Sequence, residues 1–129
     1  MPEGLPDREE VDRFILDEID SVPELEALLL IWNSRPKDWS SDEMAKALYD
    51  KADSTQGILR SLVQRGLIAE ETGSRGLYTA ISDSPEKEAM LTALDRIYRR
   101  EIVRISTMIH SKASRAVRDF ARAFRFKKD

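Results

Sequence analysis

Cysteine and histidine, two residue types that perform much enzyme chemistry, are absent or nearly absent from this chain of 129 residues. It contains no cysteine, which excludes disulfides, thiolate nucleophiles, zinc fingers and iron–sulfur clusters. The one histidine, His110, falls near the end of a predicted helix, where we expect it to pack or to lie at an interface rather than to act as a ligand or base. Glu70 and Glu71 are adjacent in a predicted strand and therefore point to opposite faces. We predict no enzyme activity, no catalytic residue, no metal site and no cofactor.

A further candidate for chemistry is the glycine-rich run Gly-Ser-Arg-Gly at residues 73–76. It lacks the Gly-x-x-x-x-Gly-Lys-Ser/Thr spacing of a phosphate-binding loop, and it precedes a predicted strand rather than a helix. We therefore interpret this run as a turn. Polar residues on one face of a predicted helix over residues 54–65 are the remaining candidates, and their role depends on the elements around them.

The composition is typical of a helix-rich globular domain. Hydrophobic residues make up 41% and charged residues 35% of the chain, with 5 Gly and 5 Pro. These fractions are too apolar for a disordered chain, and the length fits a single domain over residues 1–129. No run of about 18 apolar residues is present, so we predict no transmembrane helix and no membrane partner. The acidic N-terminus lacks the apolar core of a signal peptide, and we expect a cytoplasmic location.

The net charge of −3 hides a gradient along the chain. Residues 1–26 hold ten acidic and two basic side chains, whereas residues 96–129 hold eleven basic and three acidic ones. The acidic head and the basic tail can pair with each other, within one chain or between two, and charge alone favours this interpretation. Alternatively, part of the basic tail can contact a polyanion such as the DNA backbone.

Apolar residues at helical spacing predict two helices near the N-terminus. The first covers residues 7–20, where apolar positions recur at i, i+3, i+4 and i+8. The second begins at Ser21, which can cap it, with Pro23 in the first turn and Glu24 at the capping-box position. Its apolar stripe is wide, so we expect this helix at the centre of the core.

The middle of the chain alternates short helices and strands. Trp39 marks a short strand, and two helices follow over residues 40–48 and 54–65, the first with a predicted capping box of Ser40 and Glu43. Gly66 suits the left-handed position that ends a helix. The apolar period then changes from 3.6 to 2 on both sides of residues 72–76, which predicts a β-hairpin.

A long amphipathic helix is predicted within residues 84–126, with a short basic helix after Ser111. From Glu86 to His110 it would be about 37 Å long, more than a small domain can cover. Because monomers rarely expose an apolar stripe of this length, we predict a homodimer that pairs the same stripe from two chains. In the alternative, the N-terminal helix folds back onto the stripe and leaves a monomer. The predicted dimer contacts are Leu91, Leu94, Tyr98, Ile102, Ile105, Met108 and Ile109.

The order of predicted elements over residues 22–81 resembles a winged helix-turn-helix. Residues 39–48 and 58–68 are similar to the core of bacterial MarR-like and PadR-like transcriptional regulators. The tail, residues 118–128, resembles the end of a group of small bacterial winged-helix proteins of unassigned function. Together with the helices predicted on either side, the resemblance gives a mainly α (α+β) fold: a winged helix-turn-helix with an N-terminal helix, a long C-terminal dimerisation helix and a short basic terminal helix.

The resemblance also implies a set of DNA contacts. The helix over residues 54–65 would be the recognition helix in the major groove of double-stranded DNA, with the wing over residues 72–76 beside the minor groove or the backbone. With Ile58 and Leu62 turned inward, the outward side chains have types that contact bases and phosphates. The predicted contacts are Ser54, Thr55, Gln56, Arg60, Ser61, Gln64 and, at the wing tip, Arg75.

The same surface allows a second interpretation. Asp50 and Asp53 flank the predicted recognition helix, and Glu70 and Glu71 lie in the hairpin, so this surface is less basic than in many DNA-binding winged helices. The alternative is a winged-helix adaptor that contacts another protein and binds no DNA. We therefore expect a homodimeric, sequence-specific DNA-binding transcriptional regulator, with the adaptor as the alternative.

Overall fold

Six helices and three short strands make up the described part of the chain. The computed structural model describes residues 5–71, 76–81 and 83–127. The fold is mainly helical with a small antiparallel sheet, which confirms the predicted mainly α (α+β) class at this level. The elements in chain order are α1 (Arg8–Glu18), α2 (Val22–Asn33), β1 (Trp39–Ser40), α3 (Ser41–Leu48), α4 (Ala52–Gln64), β2 (Ile68–Glu70), β3 (Leu77–Ala80), α5 (Pro85–Arg100) and α6 (Ile102–Lys127).

The predicted caps begin two of the helices. Ser21 Oγ accepts a hydrogen bond from the amide of Glu24 at 3.3 Å at the start of α2. Ser40 and Glu43 form a full capping box at α3, with both side-chain-to-backbone distances at 3.1 Å. α4 begins at Ala52, two residues before its predicted start, and its N-cap makes no side-chain hydrogen bond.

The three strands form one antiparallel sheet in the order β1-β3-β2. Trp39 of β1 and Glu70 of β2 both lie opposite Tyr78 in the central strand β3. Gly66 takes the left-handed conformation, with φ of +74°, and turns the chain from α4 into β2. The strands of the predicted hairpin are thus confirmed, whereas its tip at residues 72–75 lies outside the described residues.

The core forms around α2, as the width of its apolar stripe predicts. α2 contacts α3, α4, α5, α6 and β3. Leu25, Leu28 and Ile31 are buried on one side of this helix, and Trp32 is buried at its end. The guanidinium of Arg35 stacks on the Trp32 ring with 3.5 Å between the charged carbon and the ring centroid. The central helix therefore joins the sheet to the helices at both ends of the chain.

The predicted C-terminal helix is interrupted at Glu101 rather than after Ser111. Glu101 has φ of −131° and ψ of 46°, outside the helical region, and its amide closes α5 on the carbonyl of Ile97 at 2.8 Å. α6 then continues as one helix to Lys127, because no glycine or proline follows residue 85. The prediction of a separate short terminal helix is therefore wrong.

The long apolar stripe is covered within one chain by α1 and α2. Val11, Ile15 and Ile19 of α1 are fully buried, and both α1 and α2 contact α5 and α6. The prediction that a second chain covers the stripe is therefore wrong for most of it, because the fold-back of α1, together with α2, already does so. Of the predicted dimer residues, Met108 is half-buried and Ile102 is 51% exposed. The other five are at most 8% exposed: Leu91, Leu94, Tyr98, Ile105 and Ile109.

Ion pairs between the acidic head and the basic tail hold α1 beside α6. Arg104 makes two hydrogen bonds to the carboxylate of Asp12, at 2.8 and 3.2 Å. Arg8 donates to Glu101 at 2.6 Å, and Lys112 donates to the backbone carbonyl at the end of α1 at 2.9 Å. These pairs occur in the same order along both helices, so α1 runs parallel to the first half of α6 and ends beside Lys112.

Glu101 makes the stability of this junction depend on pH. The hydrogen bond from Arg104, supported by one from Arg8, holds the pKa of Glu101 below its ordinary value of 4.5. Because the folded-state pKa is the lower one, Glu101 contributes stability above about pH 4.5, and this contribution is lost as the pH falls through the folded-state pKa. Thermal unfolding of the wild type and Glu101→Gln, followed from about pH 7 to about pH 3, should show a Tm difference that shrinks in acid. A difference that stays constant across this range would contradict the assignment.

Candidate nucleic-acid interface

α4 has one face in the core and one face in solvent. Leu59 and Leu62 are fully buried, where α4 contacts α2 and α3. The opposite face carries most of the predicted contacts, and their side chains project from a rigid helix. Four of these residues are exposed and one is half-buried; the exposed ones are Ser54, Gln56, Arg60 and Gln64, and the half-buried one is Ser61.

Thr55 is an exception to the predicted contact set. Its side chain is fully buried, and its Oγ1 has no hydrogen-bond partner among the described residues. Thr55 lies four residues before Leu59 and seven before Leu62, so it shares their core-facing stripe. The spacing predicts a buried side chain, whereas the polar residue type predicts an exposed one. Thr55 is therefore not a surface contact.

The buried hydroxyl of Thr55 should reduce the stability of the wild-type chain. A buried polar group without a partner costs free energy, and valine has nearly the same shape without the hydroxyl. We expect Thr55→Val to raise the free energy of unfolding by about 1 kcal/mol in chemical denaturation. Ser54→Ala, at the exposed neighbouring position, should change it by less than about 0.5 kcal/mol. A loss of stability in Thr55→Val would instead indicate that the hydroxyl is hydrogen-bonded.

A cleft of 530 Å³ separates α4 from the β2–β3 hairpin. Gln56 and Arg60 line it from α4, and Glu70 and Tyr78 line it from the strands. Glu70 accepts a hydrogen bond from the amide of Gly76 at 3.0 Å, so its carboxylate joins the end of β2 to the residue before β3. The structure thus brings two of the predicted contacts to one edge of the hairpin. Ser54 and Gln64 do not line this cleft, and Arg75 lies outside the described residues.

The acidic residues beside α4 have local structural roles. Asp53 lies in the first turn of α4, where a carboxylate is favoured by the helix dipole. Asp50 accepts a hydrogen bond from the amide of Lys51 at 2.7 Å in the turn before the helix. Lys46 lies in the last turn of α3, and Lys51 is the N-cap residue of α4. Asp50 and Asp53 are therefore accounted for by the start of the helix, and Glu70 by the hairpin.

Two residues next to α4 were not identified from the sequence. Arg65 donates to Asp20 at 2.6 Å and to the carbonyl of Asp17 at 3.1 Å, which fixes the end of α4 to the end of α1. Tyr49, at the end of α3, has φ of 54° and is 97% exposed. No sequence signal distinguishes a left-handed tyrosine from an ordinary one, because this conformation is uncommon for residues other than glycine.

A second groove of 370 Å³ lies between α2, α3 and α5. Its floor includes Leu29 and Leu48, and Tyr98 donates a hydrogen bond to Glu26 Oε2 at 3.1 Å on its wall. Burial, together with the nearby Glu26 carboxylate, raises the pKa of Tyr98 to about 12. The hydroxyl is therefore protonated near neutral pH and acts as a fixed hydrogen-bond donor.

Within the described ranges, 5–71, 76–81 and 83–127, no group of three or more His, Asp or Glu side chains comes together as a metal site would require. No helix of this part of the chain combines the length and the apolar character needed to cross a bilayer. Comparison of the chain with protein-family models, curated proteins and solved structures gives no significant match in any of the three.

Proposed function

We propose that the chain is a winged helix-turn-helix protein that binds double-stranded DNA and regulates transcription. The order β1-α3-α4-β2-β3 supports this assignment, as does the pairing of β1 with the hairpin in one antiparallel sheet. In this assignment α4 is the recognition helix, and the β2–β3 hairpin beside it is the wing. α4 is 13 residues long, or about 20 Å, and an α-helix fits the major groove.

The observation that carries the proposal is the placement of Arg60. Its guanidinium is exposed on α4, one turn after the exposed amide of Gln56, and both line the cleft beside the hairpin. Arginine can donate two hydrogen bonds to guanine O6 and N7, and glutamine can pair with adenine N6 and N7. Two neighbouring side chains of these types would read adjacent base pairs, while the hairpin would lie near the backbone.

Arg60→Ala should lower affinity for a duplex selected from a random pool by about 1–3 kcal/mol if Arg60 contacts a guanine. Its Tm should barely change, because exposed substitutions usually alter stability by about 0.5 kcal/mol or less. Fluorescence anisotropy of a labelled duplex measures the affinity. Arg96→Ala is the matched control, since it removes an exposed arginine from α5. Equal losses in the two variants would mean that Arg60 supplies charge rather than base recognition.

The function itself is tested by a salt titration on random duplex DNA. A DNA-binding protein releases counterions from the phosphates, so its affinity should fall steeply as salt increases. A folded protein that shows no binding at about 50 mM salt would overturn the proposal.

One observation favours the adaptor as a second candidate function. Tyr49 is almost completely exposed in the turn between α3 and α4, and it has a backbone conformation uncommon for tyrosine. Tyrosine is enriched in the buried centres of protein–protein interfaces. In an adaptor this side chain would insert into a protein partner. The salt titration separates the two functions, because the adaptor requires no DNA affinity.

A further inference from the structure

The basic tail of the chain divides into two parts at Lys112. Up to this residue the tail is paired with the acidic head, since Arg104 binds Asp12 and Lys112 binds Asp20. α1 ends beside Lys112, whereas α6 continues to Lys127, a further 15 residues or about 22 Å. We call residues 113–127 the arm. Pairing between head and tail therefore accounts for the first half of α6 but not for the arm.

The arm carries an excess of positive charge. Residues 113–127 hold five basic side chains and one acidic one. Arg115, Arg118 and Arg122 are exposed, and none of them forms an ion pair with another described residue. At spacings of three and four residues these like charges repel one another along the helix. An anionic partner would therefore stabilise the arm.

The side of α6 that carries these arginines is polar along its length. A groove of 440 Å³ follows it, and all of the side chains that line the groove are polar or basic: Thr107, His110, Ser111, Ser114, Arg115 and Arg118. Arg122 lies one turn after Arg118 on the same side of the helix. Hydroxyl and guanidinium groups commonly bind phosphate oxygens in nucleic-acid complexes. This side of α6 therefore offers hydrogen-bond donors and positive charge over about 22 Å.

The arm leaves the body of the protein beside the end of α4. Asp20 accepts a hydrogen bond at 2.6 Å from Arg65, which follows α4, and one at 3.1 Å from Lys112, which precedes the arm. The three arginines follow Lys112 at about 4 to 15 Å along the helix axis. The major groove of DNA is about 12 Å wide, so these distances match the phosphates that border a groove occupied by α4.

We propose that the arm is a second DNA contact, in which Arg115, Arg118 and Arg122 bind the phosphate backbone beside the groove that α4 occupies. The inference rests on the proposed function and adds a surface outside the winged helix-turn-helix. Contacts to phosphates carry no direct sequence information. The arm would therefore increase affinity for all duplexes alike and leave base recognition to α4.

Two features favour DNA as the partner of the arm. The acidic end of α1 lies at the start of the arm, but its charge is neutralised within the chain: Glu18 pairs with Arg65, and Asp20 pairs with both Arg65 and Lys112. An anionic membrane is the main competing partner, and basic amphipathic helices bind membranes by burying apolar side chains among the lipids. The arginine side of α6 presents a polar groove, which suits phosphates and offers nothing to bury.

Salt titrations on random duplex DNA test the contact. Arg115→Gln/Arg118→Gln should bind more weakly than the wild type, and the slope of log affinity against log salt should be shallower by about two units, because two phosphate contacts are lost. Its deficit in affinity should therefore shrink about tenfold between about 50 and 200 mM salt. Arg96→Gln/Arg100→Gln removes two exposed arginines from α5 and should keep the wild-type slope.

The outcomes separate this inference from the proposed function. Wild-type binding with equal slopes in the two double variants would overturn the arm contact and leave the DNA-binding function standing. A folded wild type that binds no duplex would overturn both. Flotation with phosphatidylglycerol vesicles is the final comparison. Vesicle binding that is lost in Arg115→Gln/Arg118→Gln, with an unchanged slope on DNA, would assign the arm to a membrane instead.

The absence of cysteine from the chain allows a direct test of where the arm lies on DNA. Ser114→Cys and Val103→Cys each place one thiol on an exposed position of α6. The two positions are three helical turns apart, so they lie on the same side of the helix and differ by about 16 Å along it. With iron–EDTA attached, Ser114→Cys should cleave the bound duplex much more than Val103→Cys. Equal cleavage from both would contradict the placement of the arm.

Discussion

Replacing Ile105 with aspartate should unfold the chain rather than separate two folded copies. Ile105 is fully buried where the first half of α6 lies under α1. A carboxylate there would lose its hydration and gain no ion-pair partner, which should lower the free energy of unfolding by several kcal/mol. Native domains of this size are stable by only about 5–15 kcal/mol, so most of the folded population should be lost. Circular dichroism and thermal melting measure this loss.

Val103→Asp is the matched control for Ile105→Asp. Val103 lies two residues earlier on the same helix and is 78% exposed, so the same charge there should leave the helical signal and the melting transition nearly unchanged. If Ile105→Asp stays folded and merely loses mass in sedimentation, Ile105 lies at an interface between chains and the fold-back of α1 is not the cover of the stripe.

The second large effect is expected at Ile15, on the α1 side of the contact between α1 and α6. Ile15 is fully buried on α1, and Ile15→Ala should lower the free energy of unfolding by about 2–5 kcal/mol, through lost apolar burial and the cavity that remains. Leu16, the next residue, is 41% exposed, and Leu16→Ala should cost less than about 1 kcal/mol. Urea denaturation of the two variants gives both values. Similar losses at the two positions would mean that α1 is not docked as described.

The elements that the sequence predicts well are those that depend on neighbouring residues. The caps at Ser21 and Ser40 act over three residues, and the turn at Gly66 depends on the conformation of one residue. The break at Glu101 is different, since its carboxylate is held by Arg8 from the other end of the chain. Local patterns carry no information about such a partner.

The candidate site was predicted only in part, because periodicity along the sequence shows the faces of a helix but not what packs against them. Periodicity identifies the two faces of α4, and Arg60 and Gln56 follow it to the surface. Thr55 is the exception, because its polar type predicts an exposed side chain whereas its spacing from Leu59 places it in the core. The apolar stripe of the C-terminal helices was equally visible in the sequence. Periodicity shows that such a stripe needs a cover, but it does not say whether the cover is α1 of the same chain or a second chain.

The parallel contact between α1 and α6 has a consequence for the order in which the chain assembles during synthesis. α1 is made first, yet the arginine and lysine that bind it, Arg104 and Lys112, follow their partners by 92 and 93 residues. The contacts within residues 22–81 span shorter separations and become possible earlier. α1 therefore emerges from the ribosome with an apolar face before α5 and α6, which cover it, and it docks fully only after the residues up to Lys112 have been translated.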